Sequence, residues 1–351
     1  MSRINYELII IARESIGITQ RELAELLNLD QGAFSKIEHG LMEFPTETLP
    51  ALSSILGYPE SFFYLEWKPI RIEGHYRKKI SLPAKSLKEY RAKMTIAEKH
   101  ISTLLDSIEL PRINIPSWDI DKDGSPSMCA KFVRDFWRIP KGRIENLSQL
   151  LEDNGIVIIE LDLGDMDGFA TYSKDNVPLL FANRNRPGDR DLFNKAHEAS
   201  HYIMHFGKSI SPDRDIDKEA NEFASEFLLP IKDVENDLIK LSVSKLADMK
   251  RYWRVSMASI ITKAKNAGLL TKNQSDYLWK QMSSLGYRTK EPVVTLREKP
   301  TIIQEIFVSY LQELGYTKDD LSKLLDFNSD RIDDWYFGLP QNKLKIIRKS
   351  A

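Results

Sequence analysis

Two histidines four residues apart flank a glutamate in the run His197-Glu198-Ala199-Ser200-His201. On a helix, residues i and i+4 lie one above the other on one face, so both imidazoles can share one ion. This pattern serves metal-assisted hydrolysis: zinc (Zn2+) turns water into a nucleophile, and Glu198 takes its proton as general base. His205 continues the series of histidines. Eight residues of helix rise about 12 Å, so His205 cannot join His197 on one ion, and it is assigned a buried or hydrogen-bonded structural role. The third ligand must come from another segment.

Residues 217–230 are rich in carboxylates and read as the next helix. Ala220, Phe223, Ala224, Phe227 and Leu228 make its apolar face. Asp217, Ala220, Asn221 and Ala224 share a neighbouring stripe of small side chains, so Asp217 can approach a metal closely while Asn221, one turn on, orients a ligand imidazole. Glu219, Glu222 and Glu226 lie on a different stripe, which reads as a solvated acidic surface. Glu219 and Glu222 remain the alternative third ligands.

The elements that must position these groups form an α+β core. Residues 177–182 read as a short buried or edge strand, 183–189 as a loop, and 190–196 as the first turns of the motif helix. A strand beside the helix could hold an extended peptide. Phe193, Ala196, Ser200, Ile203 and Met204 recur at helical spacing and are assigned mostly to the core. Upstream, 128–137 and 148–154 read as helices, 155–161 as a wholly apolar strand, and 169–173 as another.

The stretch Phe193-Asn-Lys-Ala-His-Glu-Ala-Ser-His-Tyr-Ile-Met-His205, followed by Glu219-Ala-Asn-Glu-Phe-Ala-Ser-Glu-Phe-Leu-Leu-Pro230, resembles the ImmA/IrrE family of metallopeptidases, in its subgroup with an N-terminal helix-turn-helix. The resemblance spans roughly residues 5–292. It implies a zinc-dependent endopeptidase of zincin architecture acting on transcriptional repressors, with His197 and His201 as ligands and Glu198 as base. The family usually carries Glu where this chain has Asp217, one methylene shorter.

At the other end, residues 18–27 form an amphipathic helix capped by Thr19, with Glu22 completing a capping box. Asn28 to Asp30 is a turn and 31–39 a second helix, ended by Gly40. This is a helix-turn-helix, whose second helix can enter a major groove. Tyr6, Leu8, Ile9, Leu23, Leu26, Leu27, Ile37, Leu49, Leu52, Ile55 and Leu56 are its expected core. The residues Thr19, Gln20, Leu23, Ala24, Ser35, Lys36, Ile37, Glu38 and Gly40 resemble XRE-type DNA-binding domains. That resemblance implies a phosphate contact from Gln20 and a DNA-facing set of Gln31, Ser35 and Lys36. The partner would be double-stranded operator DNA, met by a possible homodimer.

Charge complicates the DNA reading. Residues 1–67 carry four Lys or Arg against ten Asp or Glu, and 68–99 carry ten against three. The basic run, including Arg77, Lys78 and Lys79, either restores phosphate contacts or is a solvated helix face. A helical protein-binding domain without groove chemistry is the competing reading of residues 1–67.

Residues 231–293 read as a helical, winged-helix-like extension with a structural role on the peptidase core. At the carboxyl end, 317–328 repeat the pattern of 19–30, with Leu321, Leu324 and Leu325 matching Leu23, Leu26 and Leu27, and Gly338 matching Gly40. Asp330, Asp333 and Asp334 occupy the helix that would face DNA, so this unit is expected to bind protein or pack internally. The layout is therefore multi-domain and mainly α: 1–67, a basic helical linker 68–116, a peptidase core 117–230, its extension 231–293, and a helical region 294–351. With 351 residues, 29% of them charged, one cysteine (Cys129) and no apolar run of membrane length, a cytoplasmic protein is expected, with no membrane partner. Two functions compete: a DNA-binding regulator whose zinc endopeptidase domain cleaves a repressor or other regulatory protein, and a non-catalytic repressor or antitoxin-like protein using that domain as a sensor or partner platform.

Overall fold

A computed structural model describes residues 3–69 and 83–337. The chain is mainly helical, with one small sheet. Helices α1 (Tyr6–Ser15), α2 (Gln20–Leu26), α3 (Gln31–Glu38) and α4 (Leu49–Leu56) build the amino-terminal unit. Thr19 and Glu22 form the reciprocal capping box at α2, Asp30 caps α3, and Gly40 leaves the helix with φ +71°. Leu26 departs from the expected core: it ends α2 on the outer side and is 56% exposed, while Leu27, one residue on, turns inward. Phe34, Phe44, Tyr58, Phe62 and Phe63, aromatic positions outside the expected set, fill the interior instead.

Helix α5 (Ala84–Leu105) packs along α1. Lys85 meets Glu22 at 3.4 Å and Lys88 meets Glu14 at 3.7 Å, so this part of the basic run faces the acids of residues 1–67. The run at Arg77, Lys78 and Lys79 lies outside the described residues.

The central unit comprises α6 (Ile120–Asp123), α7 (Pro126–Phe136), α8 (Leu147–Asp153), β1 (Val157–Leu161), β2 (Gly168–Tyr172), β3 (Pro178–Asn183), α9 (Gly188–Met204) and α10 (Ile216–Leu228). The sheet order is β1-β3-β2: β3 runs parallel to β1, Val157 opposite Leu179, and antiparallel to β2, Phe169 opposite Phe181. Of the two options open for residues 177–182, the structure selects the buried one, since all of β3 is buried and it lies between the outer strands β1 and β2. Alternation explains the unbroken apolar runs. Ile158, Leu180 and Ala182 face the core around α9 and α10, whereas Val157, Ile159, Leu179 and Phe181 face a second core on the opposite side.

The first core continues through α11 (Ile231–Val234), α12 (Val243–Trp253), α13 (Met257–Asn266) and α14 (Lys272–Ser284), which contribute Val234, Leu246, Trp253, Ile260 and Met282. The second joins the back of the sheet to α5, to the amino-terminal unit, and to α15 (Ile302–Gln312), α16 (Lys318–Leu325) and α17 (Ser329–Phe337). The echo between the chain ends extends to backbone geometry. Thr317 caps α16 with a capping box as Thr19 caps α2, and Asp326 (φ 49°) holds the left-handed position of Asn28 (φ 55°). Gly338, the last matched position, lies outside the described residues. Helix α17 packs internally. Arg331 donates to the carbonyls of Leu56 and Gly57 at 3.0 Å and lies over the Tyr58 ring at 4.5 Å, while Ile332 and Trp335 are buried.

Candidate functional site

Helix α9 begins under a strap of chain. A Cβ on Gly188 would meet the carbonyl oxygen of Thr295 at 2.3 Å and the carbonyl carbon of Leu296 at 2.7 Å, so glycine permits the crossing. Beneath it, buried Lys195 bonds Asp191 at 2.9 Å and Ser148 at 3.0 Å. Farther along, the Tyr202 hydroxyl donates toward the carbonyls of Thr171 and Leu179 and accepts from the Thr171 amide at 3.2 Å. These contacts fix α9 against β2 and β3. Burial holds the Tyr202 phenol well above its ordinary pKa, so it serves as a neutral structural group.

Between these supports, His197, His201 and Asp217 converge, each offering one ligand atom within 4.8 Å of the others. The two Nε2 atoms stand 3.3 Å apart, and Oδ1 of Asp217 lies 3.5 Å from Nε2 of His197. Two ligands about 2.1 Å from a tetrahedral ion are about 3.4 Å apart, so this spacing fits a metal. Nδ1 of His197 donates to Oδ1 of Asn221 at 3.0 Å, which leaves its Nε2 with a lone pair on the side of the cluster. A nitrogen and carboxylate set of this kind suits zinc. Asp217 reaches the cluster because α10 packs closely against α9 through Ala220 and Ala224, both buried.

Neither alternative ligand belongs to the cluster. Glu219 accepts from Nε2 of His205 at 3.0 Å and from Nε and Nη2 of Arg214, each at 2.9 Å. Burial raises the Glu219 pKa, but the hydrogen bonds from Arg214 and His205 outweigh it and hold the carboxyl below its ordinary value. Glu222 accepts from the Ser127 hydroxyl at 2.8 Å. Glu226, expected on the solvated stripe, is instead buried and paired with Lys263, because α13 covers that side of α10. His205 is fully buried, its Nδ1 2.8 Å from Nδ1 of His201. The third histidine of the series was the sequence signal for this arrangement; Arg214, seventeen residues after the motif's first histidine and in a loop, gave none.

Glu198 is half-buried beside β2, and a Cβ on Gly168 would lie 3.2 Å from its Cγ. On the other side, a cleft of about 870 Å³ opens between α7, α10 and α13, lined among others by Ser127, Phe193, Asn221, Glu222 and Thr262.

In the amino-terminal unit, Gln31 and Lys36 are exposed on α3 and Ser35 is half-buried, while Phe34 and Ile37 face inward. Gln20, for which a phosphate contact is expected, has a partner within the fold. Its amide donates to Glu38 at 2.7 Å, supporting the buried pair in which Nε of Arg13 meets the same carboxylate at 2.7 Å.

Comparison with known families agrees with this layout. Residues 151–265, which include the whole cluster, match a peptidase family model described as the IrrE N-terminal-like domain, and residues 9–63 match a helix-turn-helix model. A search of curated proteins found no match. The chain thus joins a helix-turn-helix to an IrrE-like peptidase domain. No described helix is long and apolar enough to cross a membrane.

Proposed function

We propose that this chain is a DNA-binding regulator whose zinc-dependent endopeptidase domain cleaves a repressor or another regulatory protein. The observation that carries the reading is the convergence of His197, His201 and Asp217 beside Glu198. Zinc, when bound, supplies Lewis acidity that polarises a peptide carbonyl and eases deprotonation of water. Glu198 takes that proton and returns it to the leaving amine. Asn221 holds the His197 ring, and the edge of β2 offers backbone groups to an extended substrate, with the cleft beside Asn221 receiving its side chains. On α3, Gln31, Ser35 and Lys36 form the face offered to operator DNA.

The test is metal content and proteolysis together. Purified chain should carry about one zinc, as catalytic sites with three protein ligands do. His197→Ala and His201→Ala should lose it, whereas Glu198→Gln should keep zinc and lose cleavage of the protein substrate. Chain that stays metal-free after zinc incubation would remove the endopeptidase reading. Zinc-loaded chain that cleaves nothing, with Glu198→Gln regulating as wild type does, would establish the sensor instead.

A further inference from the structure

The fallback ligand and the supernumerary histidine turn out to be joined. The Glu219 carboxylate can only accept, so Nε2 of His205, 3.0 Å away, carries the hydrogen between them. Arg214 meets the same carboxylate with two nitrogens at 2.9 Å, and a His205 ring carrying one hydrogen keeps it on the Nε2 that faces Glu219. A neutral imidazole with hydrogen on Nε2 has an acceptor at Nδ1. That atom lies 2.8 Å from Nδ1 of His201, which therefore donates. The Nε2 of His201 is left with its lone pair, on the side where Nε2 of His197 stands 3.3 Å away.

We propose that His205 and Glu219 are positioning residues: through the chain Arg214–Glu219–His205–His201 they fix the tautomer and ring orientation of His201 so that it presents Nε2 to a metal. The proposal rests on the metal reading for its purpose, while the links from Arg214 to Nδ1 of His201 are hydrogen bonds within the chain. Three separate segments supply the chain. His205 is the C-cap of α9, Glu219 comes from the first turn of α10, and Arg214 from the loop between them, where its Nη1 also reaches Asp121 of α6 at 3.2 Å. Closing α9 onto α10 therefore sets the ligand's tautomer as well as its place. On the His197 side the same task falls to a single amide, Asn221.

The experiment is nitrogen NMR of the full-length, metal-free chain with labelled histidine, at a pH well above the ordinary histidine range, with His201 assigned by its loss in His201→Gln. Wild type should show hydrogen on Nδ1 of His201 and none on Nε2. In His205→Phe and Glu219→Ala the single tautomer should give way to a mixture. Zinc affinity, read by chelator competition, should fall about 10- to 100-fold, the usual effect of losing such a support. His205→Asn, whose carbonyl can stand near the lost Nδ1, should recover most of both. Hydrogen on Nε2 of His201 in wild type would overturn the proposal even if no variant folds. So would an unchanged tautomer in a folded His205→Phe. A chain that shows the fixed tautomer yet binds no zinc would retain the relay and reject the metal reading, so the two fail separately.

Discussion

Oδ1 of Asp217 lies 3.5 Å from Nε2 of His197, and four residues later Asn221 holds the other nitrogen of the same ring. One turn of α10 thus addresses both sides of one imidazole, which neither Glu219 nor Glu222 does, each being bonded elsewhere.

Asp217→Asn should therefore lower zinc occupancy to near zero, and Glu222→Gln should leave it unchanged, measured by elemental analysis of purified protein. Asp217→Glu should retain zinc, since it keeps the carboxylate and adds one methylene. A metal-free Glu222→Gln beside a loaded Asp217→Asn would reverse the assignment.

Gly188→Ala should destabilise the chain by about 1–3 kcal/mol, the usual cost of forcing an extra carbon into packed structure. The atoms it would meet, in Thr295 and Leu296, are backbone and cannot swing aside. Thermal unfolding of wild type and variant in parallel measures the loss; equal melting temperatures would show that the strap yields freely.

His100 is fully buried on α5, its Nδ1 2.7 Å from the Tyr336 hydroxyl and its ring packed on Phe327 at 4.8 Å. Burial, helped by Lys99 and Arg331, depresses its pKa well below 6.5. In the unfolded chain the ring takes a proton as pH falls through its ordinary range, while the folded chain resists, so this contribution is present above that range and lost as pH falls toward the folded value. Stability should decline on mild acidification, and His100→Gln should flatten that decline. Melting temperature against pH for both proteins is the measurement, and parallel curves would exclude His100 as the cause.

Lys36→Ala should weaken binding to an operator by a factor that shrinks as salt rises, and Gln31→Ala should relax sequence preference at one position, at a cost of about 1–3 kcal/mol. Gln20→Ala should act through stability, because its amide supports the buried Arg13–Glu38 pair. Binding isotherms at two salt concentrations, set beside melting curves, separate these effects. Loss of affinity in Gln20→Ala without any loss of stability would support the expected phosphate contact.

Much of this protein is legible locally. The spacing of His197 and His201, the Thr19–Glu22 capping box and the small-residue stripe containing Asp217 and Asn221 depend on helix periodicity, which operates within one or two turns. The apolar runs around Val157 and Leu179 likewise marked strands, the first wholly apolar and the second left open between buried and edge. Tertiary structure alone decided which strand is central, because strand order depends on how β3 pairs with β1 and β2 and not on their composition. It also turned Glu219 from a possible ligand into the partner of His205 and Arg214, and Glu226 from a surface acid into a buried ion pair. It placed the carboxyl-terminal echo of the helix-turn-helix against Leu56, Gly57 and Tyr58. Each of these outcomes is set by contacts between residues far apart in the chain, and a carboxylate's role follows from the neighbour that folding brings to it.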